Sequence, residues 1–152
     1  MRRLSSGVLS LVFLLLMFLS GPVSAHRFAP SLLKIVETSE YTYNVVWKTP
    51  TEATSIVPLR PTWPVDCEVE NEKPVVREGT GTVSSWVISC KQPGAEGLIG
   101  KELGVTGLSE NQASAMVMLS MSDGRHYQSL VKAEAPSFLV PAQPGQSSVM
   151  TE

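Results

Sequence analysis

The chain has 152 residues, 43% of them hydrophobic, and a formal net charge of −2. That length accommodates one ordinary domain plus a targeting segment. The slight acidic excess offers no basic surface of the kind that drives nucleic-acid binding, so a nucleic-acid partner is not expected.

The first residues follow the order of a secretory signal. Arg2 and Arg3 give a positive start, and Val8 to Leu19 is a twelve-residue run broken only by Ser10. A Gly21-Pro22 break follows, and Val23-Ser24-Ala25 places small residues at −3 and −1 of a cleavage site between Ala25 and His26. A membrane anchor is the rival reading, but a spanning helix needs about 20 apolar residues. No cysteine lies near the cut, which argues against a lipoprotein. Losing 25 of the 152 residues leaves 127, with ten basic and fourteen acidic side chains. The expected location is extracytoplasmic, in a bacterial periplasm.

Cys67 and Cys90 are the only cysteines. In an oxidising compartment they most simply form one disulfide. A reactive thiol or metal pair lacks a CxxC motif and a neighbouring histidine.

From residue 30 the chain reads as short strands of period two separated by Pro and Gly. Leu32 to Glu37 pairs with the alternating Tyr41, Tyr43, Val45, Trp47 series across a Thr38–Glu40 turn. Ser55 to Arg60, closed by Pro58 and Pro61, fits a sheet edge. Asp66 to Glu70 alternates again. Trp86, Ile88 and Cys90 share one face of a strand from Thr82 to Cys90, which points that face into the core. Leu103, Val105 and Gly107 mark another strand. Ala115, Val117, Leu119 and Met121 alternate with Ser114, Met116, Met118 and Ser120. Ser122-Asp123-Gly124-Arg125 then predicts a type I′ hairpin, returning along His126 to Lys132. The expected fold is all-β, an antiparallel β-sandwich of immunoglobulin-like or related Greek-key type over residues 26–141, with a small barrel as the alternative. Residues 142–152, rich in Gln, Pro, Ser and Gly, read as a linker or tail.

Several strings recur in a known order and spacing. They are Ala25-His26-Arg27-Phe28-Ala29-Pro30-Ser31-Leu32-Leu33, Val46-Trp47-Lys48-Thr49-Pro50, Leu59-Arg60-Pro61-Thr62-Trp63-Pro64, Gly107-Leu108, and Ala135-Pro136-Ser137-Phe138-Leu139-Val140-Pro141. Together they resemble the extracytoplasmic N-terminal part of the HupE/UreJ family of bacterial membrane proteins. The resemblance implies a β domain followed by membrane helices, the first bearing His and Asp and linked to transport of nickel or other metals. No second apolar segment appears before Glu152, so transport is not carried over. The resemblance implies instead an accessory domain, with a membrane module encoded downstream or in a longer form of the chain.

Cleavage after Ala25 makes His26 a possible chelator of Cu or Ni through its α-amine and imidazole. Asp123 and His126 complete a site if the strand ends converge. The simpler alternative is that Ala25-His26 only marks processing and His126 faces solvent. Met116, Met118 and Met121 offer thioethers for Cu(I), but Met121 falls on the opposite face, and core packing is the simpler reading. Trp47 and Trp86 read as core residues and Trp63 as an exposed loop aromatic. Glu68, Glu70 and Glu72 alternate along one face and read as solvated. No Gly-x-Ser-x-Gly elbow occurs, and nothing selects two carboxylates for glycoside chemistry, so an enzyme is not expected.

Overall fold

A computed structural model describes residues 30–52, 54–90 and 97–143. The signal segment, its cleavage site at Ala25 and His26, and residues 144–152 of the expected tail lie outside them.

The strands are β1 (Ser31–Ser39), β2 (Thr42–Pro50), β3 (Arg60–Thr62), β4 (Glu68–Glu70), β5 (Val76–Glu78), β6 (Gly81–Ser89), β7 (Glu102–Thr106), β8 (Ser114–Ser120), β9 (His126–Lys132) and β10 (Ser137–Leu139). No helix occurs among the described residues. Seven strands make one sheet in the order β4-β6-β2-β1-β8-β9, with β5 also on β6. The other three form a small sheet, β10-β7-β3.

Alternation decides which face is buried. Leu33 and Ile35 of β1, Tyr43 and Val45 of β2, Ile88 of β6, and Val117 and Leu119 of β8 all point to one side and are 0–1% exposed. Leu103 and Val105 of β7 join the same core, as do Leu98, Leu108 and Val140 from the connections. Each fully buried Leu or Val contributes about 1.5–3 kcal/mol. The core is therefore sandwich-like, with the small sheet and loops covering one face of the large one.

Four details depart from the expected strand pattern. The β1–β8 pairing is parallel, with Leu33 opposite Val117. The two strands are far apart in the chain, so no hairpin fixes their relative direction. The Ser55–Leu59 stretch is a bend, and the sheet-edge strand begins only at Arg60. The first hairpin turns at Glu40 and Tyr41, where Tyr41 takes φ 56°. The second hairpin is not type I′: Gly124 has φ 89° while Asp123 is not among the positive-φ residues. Gly124 N–H donates to Met121 C=O, and Met121 N–H donates to Arg125 C=O. That is a three-residue loop with glycine in the left-handed position.

Candidate functional site

The disulfide end of the sandwich is built around Cys67 and Cys90, which are bonded to each other. Cys90 follows β6 and is fully buried, whereas Cys67, just before β4, is half-buried. Trp86 lies on the same face of β6 and meets Trp63 edge-on, ring centroids 6.1 Å apart. Trp63 is thus part-buried against the core, contrary to its expected exposure. The loop after Trp63 folds back in a turn closed by the Cys67 N–H donating to the Pro64 C=O, and Cys67 is tied to Cys90 just past the end of β6. Asp66, whose side chain is only 3% exposed, accepts a 2.6 Å hydrogen bond from Lys101. That bond holds its carboxyl below the ordinary range. Tyr43 accepts from the Leu98 N–H, and burial pushes its hydroxyl up to about 12. These contacts are structural, and each polar group is directed into the fold.

The Asp123 turn is the second cluster. Asp123 accepts from Arg125 N–H at 3.0 Å and from Arg125 Nε at 2.7 Å. The backbone bond and then the guanidinium lower its pKa, and Asp123 in turn raises that of Arg125. Arg125 also donates to Ala142 C=O, which anchors the end of the domain. His126 Nδ1 lies 3.1 Å from Ser120 Oγ on the neighbouring strand. Asp123 is therefore occupied by a cation, and His126 by a hydroxyl.

His26 lies outside the described residues. The start of β1 is nonetheless placed: Ser31 pairs with Ala115, and Val36 pairs with Ser120, the partner of His126. Five strand residues, about 17 Å, therefore separate the two ends of the sheet. The strand ends that carry Ser31 and His126 do not converge. Among the described residues, no three His, Cys, Asp or Glu side chains group as metal ligands.

The third feature is the outer face of the large sheet. Reading across the register, Val76, Val83, Lys48, Leu32, Met116 and Leu130 form one row. The next row holds Ser85, Val46, Lys34, Met118 and Gln128. Leu130 is 43% exposed and Met118 38%. No element among the described residues covers this face. Met116 and Met118 are thus not core fillers; Met121, 8% exposed, is the one that packs inside. The signal for this band is present in the sequence. Ala115-Met116-Val117-Met118-Leu119 is apolar at both parities, which marks a strand with two apolar faces. Glu68 and Glu70 flank the band on β4 and are solvent-exposed, as is Glu72 beyond it.

Comparison with protein-family models, curated proteins and solved structures finds no match to this chain.

Proposed function

We propose that this chain is a non-enzymatic extracytoplasmic accessory domain that docks on a membrane module through the outer face of its large sheet. One observation carries this reading: exposed Leu130 and Met118, with the half-buried Leu32, Met116, Val46 and Val83, lie on the face of the sheet opposite the filled core. Clustered apolar surface of this kind marks an interaction site. Lys34 and Lys48 stand within it, so a mixed apolar and acidic partner surface fits best. The secretory start of the chain, the bridged cysteines and the layout that resembles the N-terminal part of HupE/UreJ proteins point to a membrane module as the occupant. In this reading the domain supports assembly or metal delivery at the outer face of the membrane.

The DNA immediately downstream of codon 152 tests the partner. A reading frame for apolar membrane helices, continuous with this one or adjacent to it, is the expected result. A stop codon followed by unrelated sequence contradicts it. A second reading, a free-standing Cu or Ni module using the mature N-terminal His26, is favoured by the small-residue cleavage pattern that ends at Ala25. It needs ligands other than Asp123, which Arg125 holds.

A further inference from the structure

The large sheet ends in two edges, and they are built differently. On one side β6 is covered by β4 and β5, strands of 3 residues each. Between them Lys73 N–H donates to Ser85 C=O, and Pro74 with Glu68, Glu70, Glu72 and Glu78 completes the rim. Short, charged, proline-broken edges of this kind resist further pairing. On the other side stands β9, 7 residues long, without proline or carboxylate and with one lysine at its far end. Among the described strands it pairs with β8 alone.

The hairpin turn fixes which backbone groups this edge presents. Met121 N–H donates to Arg125 C=O, and hydrogen-bonded pairs recur at every second residue of an antiparallel ladder. Tyr127, Ser129 and Val131 therefore direct their N–H and C=O groups to Leu119, Val117 and Ala115. Those of His126, Gln128, Leu130 and Lys132 point away from β8. Lys132 shows the parity directly, because its N–H and C=O are both bonded to Ala135. The outward N–H and C=O groups of His126, Gln128 and Leu130 have no hydrogen-bond partner among the described residues. Their side chains are exposed.

These free groups are symmetric about Gln128. Antiparallel pairing with a second β9, Gln128 against Gln128 and His126 against Leu130, satisfies every one of them. A shifted two-fold of the same parity sets a free residue against Lys132 or Gly124, whose N–H groups are already held by Ala135 and Met121. A shift of the other parity sets free groups against groups that face β8. We infer that two copies of this chain form a two-fold dimer through their β9 edges, joining the two large sheets into one. Opposed residues of an antiparallel pair project to the same face, so the Met118 and Leu130 side chains of both copies lie on one side of the joined sheet. The dimer goes beyond the docking role and stands without it; if both hold, the docking face is doubled.

Analytical ultracentrifugation of the exported, disulfide-bonded protein, from micromolar to submillimolar concentration, tests the dimer. The parent is expected at twice the mass of one chain. Gln128→Pro removes the central outward N–H and leaves the β8 ladder intact, and Leu130→Lys places a lysine on the edge. Each is expected to weaken dimerisation at least tenfold, with circular dichroism confirming that the variant is folded. Glu70→Lys, on β4 at the opposite edge, is expected to dimerise as the parent does. Gln128→Cys is expected to link two chains under air, since the opposed Cα atoms stand about 5.5 Å apart. Lys132→Cys, whose two copies lie about 27 Å apart in this register, is expected not to. A parent that stays monomeric throughout, or a dimer left intact by both Gln128→Pro and Leu130→Lys, overturns the proposal. So does linkage through position 132 in place of position 128.

Discussion

Replacing both cysteines by alanine tests how far the fold depends on its covalent bond. Cys67 and Cys90 are 23 residues apart, so the bond closes a loop of about 24 residues. The chain-entropy relation then gives about 11.6 cal/mol/K, or about 3.4 kcal/mol at 25 °C. Losing the sulfur packed at Cys90, which is 0% exposed, adds to that cost, because the neighbouring core relaxes only in part. For a fold of this size the entropic part alone lowers the melting temperature by about 14 °C, at about 4 °C per kcal/mol. Urea denaturation followed by Trp fluorescence reads the same quantity, since Trp63 and Trp86 report on this end of the sandwich. With a slope of about 1.2 kcal/mol/M the midpoint falls by about 3 M. A Cys67→Ala/Cys90→Ala protein whose stability lies within about 1 kcal/mol of the parent refutes the loop-closure argument.

Other consequences follow from single contacts. Gly97 has φ +60°, and a Cβ there meets the Tyr43 hydroxyl and the Tyr41 ring. Gly97→Ala is therefore expected to cost about 2–4 kcal/mol, from backbone strain together with overpacking, measured by thermal melting. Asp66 has a folded pKa below its unfolded value, so its contribution is present above about pH 4 and is lost as pH falls through the lower, folded value. Asp66→Asn is expected to flatten the acid limb of the stability curve while lowering stability at pH 7. Tyr43 is raised to about 12, so its contribution is intact below about pH 10 and lost as pH rises through the folded value. Phenolate absorbance should show one of the three tyrosines ionising late, or ionising together with unfolding.

Much of this architecture is legible in the residues. Period two in Tyr43-Val45-Trp47 and in Ala115-Val117-Leu119 is enough to choose the buried face, because each side chain alternates sides. The bridge between Cys67 and Cys90 follows from there being no other thiol. The parallel β1–β8 contact is not legible, since strand order across a crossover depends on which strands meet in space. β5 escapes for a related reason: Val76-Arg77-Glu78 is too short to show alternation, and it is a strand only because β6 offers a free edge. Trp63 reads as exposed from its prolines alone; its contact with Trp86 needs the tertiary fold. At the candidate sites, Asp123 and His126 are three residues apart in sequence, yet Arg125 takes the carboxylate. His126 instead shares a face with Met118, a diagonal relation that only the register of β8 on β9 reveals.

The central claim, docking of the outer sheet face on a membrane module, is tested most directly by a photo-reactive side chain at position 130 in cells. The reagent should cross-link the chain to an integral membrane protein encoded beside it. The same group at Glu110, exposed on a connection away from this face, should not. Equal cross-linking from both positions, or none from position 130, contradicts the account.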